Sequence, residues 1–143
     1  MSNHLSLDHS GLGVLAHEEC LHRMRRAQVG RIAFVDQGEP MILPVNHGID
    51  GESVVFRTAP GAKLFAGDEE LPMAFEVDGY DPDRRTGWSV LVRGTASTVE
   101  DPAEIARLQL LGVEPWADLA ERKNWVRIRA YSLTGREVVH PFR

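Results

Sequence analysis

The sequence predicts a mainly β fold, a small six-stranded antiparallel barrel with short flanking helices. Three observations carry this. Apolar residues recur at a period of two in six separate runs, and the runs follow one another in hairpin order, punctuated by Gly, Pro, Asp and Asn. Only two segments hold a helical period over about ten residues, too few for strands that alternate with helices. The 143 residues suit one domain, long enough to bury a core without disulfides or metals.

Each element has a local reason. Residues 1–13 are polar and carry Gly11 and Gly13, the makeup of a flexible arm, which leaves 14–143 as the single domain. Over 15–28, Cys20, Leu21, Met24 and Ala27 recur at three- and four-residue spacing. Glu18 and Glu19 come early and Arg23, Arg25 and Arg26 late, so the helix has one apolar stripe and charges matched to its dipole. Strands follow at 31–35 and 41–46, joined by a turn at 36–40, and a third at 53–58 after the turn at 50–52. Pro60 and Gly61 break the third strand, and 62–67 has room for a turn or two of helix. The fourth strand, 71–78, carries Pro72 near its start, where a missing N–H is tolerated. A charged loop at 79–87 leads to a long alternating strand at 88–99. Asp101 then caps a second helix with Pro102 at its first position and Ile105, Leu108 and Leu111 or Gly112 on its apolar side. A strand at 125–133 and a tail at 135–143 complete the chain.

Composition excludes several classes of function. Lys and Arg number 16 against 21 Asp and Glu, a net charge of −5, the wrong sign for a general nucleic-acid binder. The single Cys20 leaves no disulfide or cysteine-based zinc site. With no run of 18 apolar residues and no basic, apolar N-terminal leader, the expectation is a cytoplasmic protein without membrane contact. Nucleotide-binding glycine loops, serine elbows and metal-binding histidine pairs do not occur in the sequence, and no metal is expected. The charge is unevenly spread: −1 over residues 1–63, −9 over 64–121 and +5 over 122–143. The last segment therefore reads as a basic surface.

The stretch FRTAPGAKL, residues 56–64, is the candidate site. Arg57 and Thr58 end a strand, a Pro-Gly turn frees backbone N–H groups, and Lys63 opens a short helix, with no acid from Val54 to Gly67. Two cations, a hydroxyl and free amides make a phosphate seat. His47, beside the second strand, is the one candidate proton donor or substrate contact.

The segments VGRIAFVDQGEPMILPVNHGIDGESVVFRTAPGAKL, MAFEVDGYD and GWSVLVRGTA resemble the pyridoxamine 5'-phosphate oxidase-like FMN-binding proteins, in particular the short actinobacterial-type subgroup related to nitroimidazole-resistance proteins. The resemblance spans about residues 19–136. It implies an FMN-binding split barrel that dimerises, with flavin at the homodimer interface. It further implies that Arg57, Thr58 and Lys63 hold the phosphate and that Leu43, Pro44, Val45 and Asn46 flank the ring. Trp88 and Ser89 would reach the flavin from the partner subunit, and Trp116, with Arg122 or Arg127, would close the site near the C-terminus. Relatives commonly carry Ser or Thr where Ala62 stands, a lost donor that costs on the order of 1 kcal/mol. The Arg-x-His pattern of true pyridoxamine phosphate oxidases is not recognisable in GREVVHPFR. The implied function is therefore a flavin-dependent oxidoreductase acting on a small organic acceptor. The alternatives are a reductase using 8-hydroxy-5-deazaflavin and a non-enzymatic flavin store or sensor.

Overall fold

The computed structural model describes residues 5–58, 70–117 and 124–140. Its elements are β1 (Gly13–Val14), α1 (His17–Arg26), β2 (Val29–Asp36), β3 (Glu39–Asp50), β4 (Ser53–Thr58), β5 (Leu71–Asp81), β6 (Thr86–Val99), α2 (Pro102–Gln109) and β7 (Asn124–Glu137). The strands lie in the order β1-β7-β4-β3-β2-β5-β6, and β6 pairs back onto β7, so six antiparallel strands close a ring. The short β1 adds to the outer edge of β7 through Gly13 and Val14.

Turn chemistry sharpens the boundaries. The first hairpin turns in two residues rather than five: Asp36 pairs with Glu39, while Gln37 and Gly38 take φ of 50° and 81°. Two left-handed central residues match the twist of the flanking strands. Glu39 and Pro40 thus belong to β3, and the register places Val29 opposite Asn46. The expected loop at 79–87 narrows to the turn 82–85, because strand pairing continues to Asp81 and Thr86. The Asp81 carboxylate accepts the Asp83 and Arg84 N–H groups inside that turn. Residues 135–137, expected in the tail, extend β7.

The expected N-terminal arm has a built connection to the barrel. Asp8 accepts hydrogen bonds from Ser10 and the Leu12 N–H, and its other oxygen takes the Arg136 Nε–H at 2.9 Å. These bonds hold the Asp8 carboxyl well below the ordinary range.

The barrel interior is filled by alternate residues of each strand, among them Ile32, Phe34, Phe56, Phe75, Val77, Val90, Val92 and Ile128. Helix α1 lays Cys20, Leu21 and Met24 on this core. His47 joins helix to sheet: its Nε2–H donates to the Met24 carbonyl at 2.9 Å, and its ring meets Phe75 edge-on at 4.7 Å. That carbonyl is among those the last helical turn leaves without a helical partner.

A second apolar layer lies outside the barrel, where Leu108 of α2 and Val113 cover Val55, Val99 and Trp125. Buried Arg127 anchors α2 there, giving Nε–H and Nη2–H to Glu104 and Nη2–H to Asp50 at 2.8 Å. Arg107 grips the same Asp50 with both Nη groups. The hydrogen bond from Arg107, then that from Arg127, lower the Asp50 carboxyl to about 2.

The β6–β7 ladder shifts register at Arg93/Gly94. A Cβ on Gly94 would overlap the Arg129 carbonyl oxygen, a backbone atom unable to swing aside. Gly94→Ala should lower the unfolding free energy by about 2–3 kcal/mol, the usual cost of overpacking, as read from denaturant midpoints at an unchanged m-value.

Candidate functional site

A cleft of about 380 Å³ opens where the start of β2, the middle of β3 and the end of β4 meet the segment that follows α2. Its lining includes Pro44, Val45, Asn46, Arg57 and Trp116, five residues singled out from sequence and separated by up to 72 positions along the chain. Val29 and Pro115 add apolar wall. The hairpin register alone would have found Val29, the cross-strand partner of Asn46; Pro115 carries no such signal.

Strand pairing explains why the cleft is here. β3 pairs with β4 only through His47–Asp50, so among the described residues the β4-side edge of β3 is unpaired before His47. Backbone groups on that edge have no ladder partner in β4, and Pro44, Val45 and Asn46 along it line the cleft. Arg57 forms the opposite wall. Its guanidinium lies 5.4 Å from the Trp125 ring centroid, and its Nε is buried with no hydrogen-bond partner among the described residues. A guanidinium that lines an apolar cleft and pairs with no carboxylate among the described residues fits an anionic oxygen.

Other expected site residues lie elsewhere. Thr58 alternates to the opposite face of β4 from Arg57 and is buried outside the cleft lining. Leu43 is part-exposed and does not line the cleft. Lys63, Ala62 and Arg122 fall outside the described residues. Arg127 is consumed by Glu104 and Asp50, and Arg136 by Asp8, so the C-terminal segment offers less free basic surface than its +5 suggests.

His47 is turned into the core, the face opposite Asn46. Burial pushes its ring below the ordinary histidine range, leaving it neutral with an unpartnered Nδ1. It is a structural joint, and neither nitrogen faces the cleft.

Trp88 and Ser89 sit away from the cleft in the same chain. Trp88 lies under Arg23, 5.1 Å from guanidinium carbon to ring centroid, in a separate groove with His22, Arg26 and Asp78. Ser89 pairs across the strands with Asp78 and Arg136. Among the described residues, no group of three metal-binding side chains is placed to hold a metal ion, and no helix is long and apolar enough to cross a membrane.

The outer face beside the cleft carries a charged trio. Arg31 Nη1 stands 3.3 Å from both Glu76 Oε1 and Asp78 Oδ2. Burial, then the hydrogen bond and charge of Asp78, push Glu76 up to about 7, against the pull of Arg31. Its folded value exceeds the ordinary 4.5, so the folded chain keeps a proton that the unfolded chain releases. That contribution is full below about pH 4.5 and is lost as pH rises through about 7. Glu76→Gln should therefore gain melting temperature over the wild type above pH 7 and match it below about pH 4.5.

The chain matches the family model described as "Pyridoxamine 5'-phosphate oxidase" over residues 16–137. An uncharacterised protein of Mycobacterium tuberculosis is 36% identical over 130 residues, which span 87% of this chain and 84% of that one. Among solved structures, a Corynebacterium glutamicum protein provisionally named a pyridoxamine 5'-phosphate oxidase superposes with a TM-score of 0.79 at 34% identity, covering 90% of this chain and 99% of its own. The FAD binding protein of Mycobacterium smegmatis gives a TM-score of 0.73 at 35% identity, covering 88% and 99%.

Proposed function

This chain belongs to the pyridoxamine 5'-phosphate oxidase family, and on that premise we propose that it is a flavin-dependent oxidoreductase whose cleft takes FMN. The observation that carries this reading is Arg57, whose Nε is buried without a partner among the described residues, lining the same cleft as the stretch of β3 that is not paired with β4. Arg57, joined by Lys63 six positions on in the sequence, would hold the phosphate. The edge at Pro44–Asn46 would meet the polar rim of the ring, and Val29, Pro44 and Pro115 would exclude water from its faces. The FAD named for the Mycobacterium smegmatis relative contains the same riboflavin phosphate unit, so one seat serves either flavin.

A bound flavin supplies two-electron transfer, for which the protein provides binding, orientation and electrostatics. No nucleophile is required of the chain, and His47 is not used. Vitamin B6 oxidation is not the proposed activity: Arg136 is tied to Asp8, and His140 bonds the Arg85 carbonyl. A small organic acceptor is the proposed substrate.

The working unit is a homodimer. Val35, Ile42, Leu91 and Tyr131 expose 59, 67, 38 and 70% of their surface. Ala33, Ile42, Ala74 and Arg93 form one outward row of the barrel by register. A second copy covering this apolar face would bury it, and could carry its Trp88 and Ser89 to the cleft they do not reach within one chain.

Four substitutions test the reading. Arg57→Ala should weaken FMN about 10- to 100-fold, the loss of one charge-assisted contact, and adding Lys63→Ala should abolish co-purified flavin from a protein that still folds. Unchanged flavin content in the double variant would remove the phosphate from this seat. A wild type that ignores FMN but retains the deazaflavin would favour the deazaflavin reductase, and bound FMN that exchanges electrons with no donor or acceptor would favour a store or sensor. Ile42→Glu should sediment as a monomer, and Trp88→Ala should weaken FMN without dissociating the dimer. A monomeric wild type, or native affinity in Trp88→Ala, would sink the shared site.

A further inference from the structure

The outward positions of β3 do more than line the cleft. Asp50 holds α2 through Arg107 and Arg127. Two residues on, a Cβ at Gly48 would overlap Val113, so only glycine lets that buried side chain seat against the strand. Two residues further, the Asn46 Oδ1 accepts the Trp116 backbone N–H at 2.8 Å, while its Nδ2–H donates to the Gln28 carbonyl at 3.1 Å. One face of one strand therefore fixes the chain from α2 to the cleft rim at three successive outward positions.

The third attachment differs from the other two. Asp50 and Gly48 secure buried or ion-paired groups, whereas the Trp116 indole is 73% exposed. A ring this exposed has little packing to hold it, so its place beside the cleft depends on the backbone bond to Asn46. The amide orientation is fixed by its neighbours, since an N–H must face the oxygen and a carbonyl must face the nitrogen.

We propose that Asn46 is a positioning residue that latches the Pro115–Trp116 segment across the cleft, acting on the bound ligand through Trp116. The proposal rests on the flavin reading for its consequence, but the latch itself is a property of the ligand-free chain. Released from Asn46, the segment carries Trp116 off the rim, and a ligand in the cleft loses its roof and leaves faster.

The experiment has one arm without ligand and one with FMN. In protein labelled with 5-fluorotryptophan, the resonances of Trp88, Trp116 and Trp125 are separable, and Trp116→Phe identifies the second. Asn46→Ala should move the Trp116 resonance towards that of free fluorotryptophan and leave the other two in place, which also shows that the barrel is folded. An unmoved Trp116 resonance overturns the latch whether or not flavin binds. In the FMN arm, Asn46→Ala and Trp116→Ala should each speed dissociation about tenfold, the scale of one lost contact. The double variant should be no faster than Trp116→Ala alone. In the arm without ligand, Asn46→Asp, which keeps an acceptor for the Trp116 N–H, should leave the Trp116 resonance nearer its wild-type position than Asn46→Ala does. Additive effects in the double variant would mean that the Asn46 side chain, and not only its backbone, touches the ligand, and would overturn the proposal. A wild type that takes up no FMN defeats the functional reading alone, since the fluorine arm still decides the latch.

Discussion

The alternation of β3 between Pro44 and Asp50 is the constraint on which core and cleft both depend. Successive side chains of a strand point to opposite faces. Val45, His47 and Ile49 therefore face the barrel, where His47 ties down the last turn of α1. Pro44, Asn46, Gly48 and Asp50 face outward, where they wall the cleft and carry the segment leading from α2. A slip of one residue would exchange the two sets, burying Asp50 and exposing His47. The two-residue turn at Gln37–Gly38 guards against this, because its left-handed backbone fixes which residue of β3 meets each residue of β2.

Charge follows the same division of labour. The net charge is −5, yet the charges that matter are paired locally. Arg23, Arg31, Arg107, Arg127 and Arg136 each stand within ion-pair distance of a carboxylate, and each joins segments distant in sequence. Arg57 has no such partner among the described residues and stacks on Trp125 instead. A guanidinium kept in place by an aromatic ring, with a nitrogen left unsatisfied, is prepared for an anion in a way that a solvated surface arginine is not.

Much of this was legible in the sequence because it is local. Period-two runs gave the barrel strands, the Cys20, Leu21 and Met24 stripe gave the inner face of α1, and Asp101-Pro102 marked the start of α2, where Asp101 does accept the Ala103 N–H. The quoted motifs held Pro44, Asn46 and Arg57, and the family resemblance added Trp116; the fold brings all four into one cleft. What escaped the sequence depends on parity or on distant partners. Thr58 adjoins Arg57 but faces the other way. His47 adjoins Asn46 but serves the core. Arg127 matched a basic pattern, and only the approach of Glu104 and Asp50, 23 and 77 residues away, shows it to be a buried strut. Trp88 matched as well, yet within one chain it stacks under Arg23.

The central claim is that the cleft between the β3 edge, Arg57 and Trp116 is a flavin site. Its most direct test is a crystal structure of the protein grown with FMN. The account predicts the phosphate against the Arg57 guanidinium, the ring along Pro44–Asn46, and Trp88 of a second copy beside it. Flavin bound elsewhere, or a cleft holding FMN with its phosphate remote from Arg57, would contradict it.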